Sequence, residues 1–280
     1  MAGPTGSHEK RSLADFSGTL LLVGAGKMGG AMLEGWIALG IDPAKIVVLE
    51  PQPSRELMNL TTRGLRLNPE QRAEASVITI AVKPQVADEA VPALAPWIGP
   101  SSIVISIMAG RTLQGLARAL AGAALIRAMP NLPAAIGRGI TVAVPNTRVS
   151  RRHRGLAETL LGAIGAVEWI EDEGLLDAVT AVSGSGPAYV FLLAETLAEA
   201  GVAAGLPAGL AARLARATVC GAGALLEDSP LDPGALRRNV TSPGGTTAAA
   251  LEVLMGKQGL RSLLERAVFA ATRRSRELAS

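Results

Sequence analysis

The chain of 280 residues is 49% hydrophobic and 18% charged, with a formal net charge of +3, which supplies a packed interior for one or two domains and excludes wholesale disorder. Aromatic residues make up only 2%, so stacking platforms for bases are scarce and no nucleic-acid partner is expected. Cys220 is the single cysteine and His8 and His153 are the only histidines, which excludes an internal disulfide, leaves no metal site to expect and fits a reducing, cytoplasmic setting.

Residues 1–17 mix Gly, Pro, Ser and charges without an apolar run, and read as a disordered leader. From Thr19 the pattern alternates short β-rich runs with helical segments, the mark of βαβ units on a parallel sheet. Strands are expected at residues 19–23, 45–49, 77–81, 103–107 and 123–127, then at 140–144 and 167–170. A helix is expected over Lys27–Leu39 and another after Ser150. Beyond Glu171 strands cease, and the sequence is helical in pattern with breaks at Gly184–Pro187, Gly205–Pro207, Asp228–Pro230 and Ser242–Gly245. The expected organisation is therefore a Rossmann-type α/β domain over residues 18–173 and an all-helical domain over 174–280. No run of eighteen strongly apolar residues is free of both charge and glycine, so no membrane span is expected. The basic run Arg148–Arg154 reads as a solvated helix face. The helical part is rich in Ala, Gly and Leu, and burial against a second copy of the chain would cover its apolar surface.

Gly24-Ala25-Gly26-Lys27-Met28-Gly29 directly follows the first strand and opens a helix. That context gives the G-x-G-x-x-G pattern its meaning: Gly24 makes the turn, Gly26 lets a pyrophosphate approach the backbone, and Gly29 lets helix and strand pack closely. Glu50 ends the second strand, 21 residues past Gly29, where an acid accepts hydrogen bonds from an adenosine ribose. Ser54 and Arg55 follow on the same loop, where an arginine can pair with a 2′-phosphate, so the residues leave NADH and NADPH open. Ala81-Val82-Lys83-Pro84 and Met129-Pro130-Asn131 lie at later strand ends, within reach of the same crevice or as plain loop chemistry.

A second glycine-rich loop, Val240-Thr241-Ser242-Pro243-Gly244-Gly245-Thr246-Thr247, precedes a helix. Backbone amides converging at a helix amino end suit a carboxylate. The plainer reading is a helix cap supplied by Thr246 or Thr247.

Together with Arg127–Asn131 and Asp177–Tyr189, these motifs occur in an order that resembles the pyrroline-5-carboxylate reductase family over residues 19–278. The resemblance implies NAD(P)H-dependent reduction of a five-membered cyclic imine to L-proline, with NADPH as cofactor and NADH as the alternative that Glu50 keeps open. It implies that Ser242, Gly244, Gly245, Thr246 and Thr247 hold the substrate carboxylate and that Thr247 donates a hydrogen bond near the imine nitrogen. Residues 81–84 and 129–131 would flank the nicotinamide. The helical domains would interlock in a homodimer that assembles further. Glu50 departs from relatives that prefer NADP, where a small or polar residue is usual. A hydroxyacid dehydrogenase would need a lysine early in the second domain, and none occurs between Lys83 and Lys257. A non-catalytic dinucleotide sensor would have no use for Ser242–Thr247.

Overall fold

Four short runs, LLLV, IVVL, SVITI and IVIS, are apolar without alternation, and all lie in strands covered on both faces, as central parallel strands must be. The computed structural model describes residues 12–279. It divides into two compact units, residues 12–184 with 272–279, and residues 185–271.

The first unit begins β1 (Leu20–Val23), α1 (Lys27–Ala38), β2 (Ile46–Leu49), α2 (Arg55–Thr61), β3 (Arg66–Leu67) and β4 (Ala75–Ile80). It continues with α3 (Ala87–Ala90), β5 (Ile98–Ser106), α4 (Leu113–Ala119), β6 (Ala124–Met129), β7 (Gly139–Pro145), α5 (Arg151–Leu161), β8 (Gly165–Trp169) and α6 (Leu176–Val179). The eight strands form one sheet in the order β3-β2-β1-β4-β5-β6-β7-β8. Every pair is parallel except β6 with β7, a reversal that the hydrophobic pattern does not encode. The chain reverses direction across the sheet between β1 and β4, and that switch point opens the crevice in which doubly wound sheets bind ligands. β3 has only two residues and was not expected from the sequence.

Two apolar clusters, one for each sheet face, hold the unit together. One joins Leu20, Leu22, Ile46 and Val48 to Met32, Leu33 and Trp36 of α1 and to Leu160 and Leu161 of α5. The other joins Leu21, Val23, Ile78 and Val104 to Leu94, Trp97 and Leu116. Trp36 is fully buried, and its indole N–H donates to the Leu160 carbonyl at 2.9 Å, so the largest side chain on α1 also satisfies its one polar atom. α5 starts at a reciprocal cap: the Ser150 hydroxyl accepts from the His153 N–H at 3.1 Å, while the His153 ring accepts from the Ser150 N–H. Burial lowers the His153 imidazole below its ordinary pKa.

One expectation changes. Residues 12–17 are not a disordered leader: Leu13 and Phe16 pack into the first cluster, Leu13 N–H donates to Leu39 O at 2.8 Å, and Lys45 Nζ donates to Phe16 O at 2.5 Å. Two apolar residues three apart among Ser, Ala and Asp are too sparse a pattern to distinguish from a tail. Residues 1–11 of the expected leader lie outside the described residues. The compact units divide after Gly184, and Leu176 on α6 is buried with Val142 and Val144 of β7.

The second unit comprises α7 (Gly186–Ala203), α8 (Ala208–Asp228), α9 (Pro233–Asn239), α10 (Thr246–Leu254) and the start of α11 (Leu260–Ala279), whose last turns from Thr272 belong with the first unit. α7 and α8 pack as a pair, and a Cβ at Gly201 would stand 3.2 Å from that of Ala211. Ala211 and Ala215 are the buried hydrophobics of this unit, while Val190, Phe191, Leu192, Leu193, Leu225 and Leu226 are exposed. Glu173–Ala203 and Ala208–Asp228 are long and apolar enough to cross a membrane by length and composition alone, with mean hydropathy 1.3 and 1.2.

Phe16→Ala is expected to destabilise the protein by about 3 kcal/mol, as loss of a buried aromatic does. Denaturant melts measure this directly; an unchanged midpoint would return residues 12–17 to a tail.

Candidate active site

The chain leaves β1 through Gly24, whose φ of 88° is in the left-handed region and whose N–H donates to Leu49 O at 2.8 Å. A Cβ there would stand 2.9 Å from the Ala81 carbonyl oxygen, so the turn sits directly against the end of β4. A Cβ at Gly29 would run into the Gly24 carbonyl oxygen, which is why α1 can approach β1 only with glycine at that position. Gly26 differs: it is exposed, and nothing lies within 4 Å of where its Cβ would be. It is the N-cap of α1, with no capping side chain and no acid in the first turn. Open space over free amide groups at the positive end of a 12-residue helix fits a dinucleotide pyrophosphate. Lys27 is exposed beside it, and Met28 packs partly against the core.

Glu50 sits at the carboxyl end of β2, facing the same loop. Its Oε2 accepts from the Ala25 N–H at 2.8 Å and its Oε1 from the Gln52 N–H at 3.0 Å. Asn68, which the sequence reading missed, holds the Glu50 backbone through both ends of its side-chain amide. An asparagine-proline pair after a strand is the signal that could have found it. Ser54 caps α2, its hydroxyl accepting from the Leu57 N–H at 3.2 Å, and Arg55 is exposed in the first turn. Hydrogen bonds from its own backbone N–H and from Ser54 hold the neighbouring Glu56 carboxyl below its ordinary pKa.

Across the switch point, Ala81 N–H donates to Val23 O at 2.8 Å, setting Ala81, Val82, Lys83 and Pro84 beside the glycine turn. Arg111, also missed, braces that loop: Nη2 donates to Pro84 O at 3.0 Å and Nη1 pairs with Asp88 at 2.7 Å. Met129 ends β6, and its methyl lies 2.9 Å from where a Cβ at Gly184 would stand. Asn131 is committed at one end, its Oδ1 accepting from the Ile140 N–H at 2.9 Å, so its amide nitrogen is the part left for a ligand.

The second unit carries the other glycine loop. Ser242–Gly245 is a β-turn with Pro243 and Gly244 at its centre, φ 69° at Gly244 and the Gly245 N–H donating to Ser242 O at 3.1 Å. It delivers the chain to α10, whose N-cap is Gly245 with no capping side chain. The cap by Thr246 or Thr247 considered above does not form, because both residues lie inside the helix. The first-turn amides of α10 are thus uncapped by any side chain. Arg237 and Arg238, absent from the sequence reading, line with Thr241 and Glu252 a cavity of about 660 Å³ beside this loop. The Thr241 hydroxyl donates to Arg237 O at 2.7 Å.

Residues 19–110 match the family described as NADP oxidoreductase, coenzyme F420-dependent. With the cradle above, that match defines the protein as a nicotinamide-dinucleotide oxidoreductase of Rossmann type. Residues 173–278 match the family described as pyrroline-5-carboxylate reductase dimerisation, and over 261 residues the chain is 42% identical to the pyrroline-5-carboxylate reductase of Synechocystis sp., covering 92% of this chain and 97% of that protein. The chain belongs to the pyrroline-5-carboxylate reductase family. Its structure is similar to that of a pyrroline-5-carboxylate reductase from Coxiella burnetii, with a TM-score of 0.86 and 33% identity over 94% of this chain and 99% of that one. It is also similar to the Plasmodium falciparum pyrroline carboxylate reductase with NADP bound, at a TM-score of 0.78 and 27% identity over 94% and 99% of the two chains.

Gly26→Ala is expected to weaken NAD(P)H binding at least about tenfold, because its methyl occupies the space of the pyrophosphate while touching no protein atom. Gly29→Ala is expected to lower both binding and melting temperature, since its methyl meets backbone. Fluorescence titration and thermal melts of the two variants separate these effects; intact binding in Gly26→Ala would move the dinucleotide elsewhere.

Proposed function

We propose that this protein reduces 1-pyrroline-5-carboxylate to L-proline with NAD(P)H, the final step of proline biosynthesis, as a cytoplasmic enzyme. The observation that carries the reading is the pairing, in one chain of this family, of a dinucleotide cradle with a second helix amino end that no side chain caps. The bound dinucleotide supplies the hydride that the C=N carbon accepts.

The protein's own residues have three tasks. Ser242, Gly244, Gly245 and Thr246 hold the substrate carboxylate with the amides of the first turn of α10, where the helix dipole favours an anion. Thr247 donates a hydrogen bond near the imine nitrogen. A threonine hydroxyl is too weak an acid to release its proton outright, so the proton comes from water or from substrate already protonated at nitrogen. Ala81, Val82, Lys83 and Pro84, with Met129 and Asn131, flank the nicotinamide and keep the two rings in line; positioning of this kind is the larger part of catalysis when the electrophile is already activated. No histidine is required. A dinucleotide sensor would bind NAD(P)H without consuming it, and oxidation of NAD(P)H on adding pyrroline-5-carboxylate discriminates the two.

The exposed apolar faces of α7 and α8 support a homodimer through the helical domain, assembled further into a larger oligomer, with each pocket completed at the interface. Burial against a second copy accounts for helices of span-like hydropathy without a membrane.

Thr247→Ala is expected to lower kcat by about a hundredfold, the lower end of the loss for removing one positioned hydrogen-bond donor. Thr247→Ser is expected to keep most of the rate; equal, near-normal rates in both variants would remove Thr247 from the mechanism. Leu192→Asp, on an exposed apolar position of α7, is expected to convert dimers to monomers in light scattering and to abolish turnover. An unchanged oligomer would place the interface elsewhere.

A further inference from the structure

We infer that this chain selects NADH over NADPH, and that Asn68 is the positioning residue that sets Glu50 for that choice. The inference rests on the dinucleotide reading above and is independent of which imine is reduced.

Asn68 is, among the described residues, the one non-glycine with positive φ, at 44°. Asparagine tolerates that conformation better than most residues, but it is adopted where the surroundings demand it. Here the demand is plain. The Asn68 N–H donates to Val48 O at 2.9 Å and so extends the short pairing of β2 with β3 by one step. The side-chain amide then acts as the next rung: Oδ1 accepts from the Glu50 N–H at 2.9 Å and Nδ2 donates to the Glu50 carbonyl at 2.8 Å. An amide side chain thus replaces a strand peptide, and the Glu50 backbone is held as firmly as a residue inside the sheet.

The carboxylate of Glu50 is fixed as well, with one oxygen on the Ala25 N–H inside the glycine loop and the other on the Gln52 N–H. A carboxylate offers about four acceptor positions, so each oxygen retains one. The two free positions suit a vicinal diol, whose 2′- and 3′-hydroxyls are both donors. A 2′-phosphate brings no such donor at neutral pH and places about two negative charges against one that cannot retreat. Arg55, the cation on this loop, lies in the first turn of α2 beside Glu56, and that turn has no net charge. The Ser54 hydroxyl oxygen already caps the same helix.

The test is fluorescence titration of NADH and NADPH on the full-length protein, with Glu50→Gln, Asn68→Gly and Asn68→Asp. The native protein is expected to bind NADH at least about tenfold more tightly, given a fixed like charge within contact of the phosphate. Glu50→Gln is expected to close most of that gap by tightening NADPH. Asn68→Gly, which suits the left-handed backbone and removes the rung, is expected to weaken NADH several-fold with little change for NADPH. Asn68→Asp keeps the acceptor, loses the donor and adds a negative charge, and is expected to weaken both cofactors, NADPH the more. Equal or tighter NADPH binding by the native protein would overturn the cofactor choice, and equal losses for both cofactors in Asn68→Gly would reduce Asn68 to a structural part. Preferential NADH binding without turnover of pyrroline-5-carboxylate would instead sink the substrate reading and leave this one standing.

Discussion

The first unit depends on one close approach, the α-carbon of Gly29 against the carbonyl oxygen of Gly24. No side chain fits between them, so α1 rises directly from the end of β1 and its amino end points at the switch point of the sheet. Everything that makes the cradle follows from that placement. The Gly24 turn brings Ala25 to Glu50, and it lies against Ala81, so the loops after β1, β2 and β4 meet around a single opening. The buried Trp36, on the same helix and tied to Leu160, fixes the far end of α1 against α5. A helix held at both ends holds its dipole still, and a still dipole is what an anion-binding site needs.

The helical unit follows the opposite logic. Its paired helices α7 and α8 meet through small residues, Gly201 against Ala211, which allows close backbone approach but leaves few large side chains to bury. None of the eighteen residues of α7 is buried, although the helix carries Val190, Phe191, Leu192 and Leu193 in succession. A helix that is apolar around its circumference is unstable in water as a lone surface. The match to a dimerisation family over residues 173–278 agrees with the proposed cover, a second copy of the chain.

Much of this was legible in the sequence because the relevant signals are local. The strand-glycine-helix sequence around Gly24 to Gly29 is one such signal, and so is the apolar continuity of strands covered on both faces. The resemblance to the family likewise rests on contiguous motifs. What escaped depends on pairs distant in the chain. Asn68 lies 18 residues from Glu50 with only the following Pro69 as a local signal, and Arg111 lies 27 from Pro84 with none. Leu13 and Phe16 are two isolated apolar residues whose burial is decided by Leu39 and Lys45. The reversed pairing of β6 with β7 is likewise decided by the connection through Asn131, whose side chain closes the loop onto Ile140, and not by the strands' composition.

The two glycine loops turn out to be one device used twice. α1 and α10 each begin at a glycine N-cap, and neither has a capping side chain or an acid in its first turn. α2, α4, α5 and α9 spend a Ser, Thr or Asp at that position, with Ser54, Thr112, Ser150 and Asp232, while α7 and α8 also lack a side-chain cap but start at Ser185 and Pro207 rather than at a glycine. A glycine N-cap in place of a capping side chain costs a helix end only about a few tenths of a kcal/mol, which an anion bound there more than offsets. One end suits a pyrophosphate and the other a carboxylate, so under the proposed function cofactor and substrate would be held by backbone groups that cannot titrate. That would leave the side chains free for selection, with Glu50 proposed for the ribose and Thr247 for the ring nitrogen. A reductase whose electrophile carries its own positive charge has little need for a general acid, and a chain with two histidines can therefore perform the reaction without placing either of them in the site.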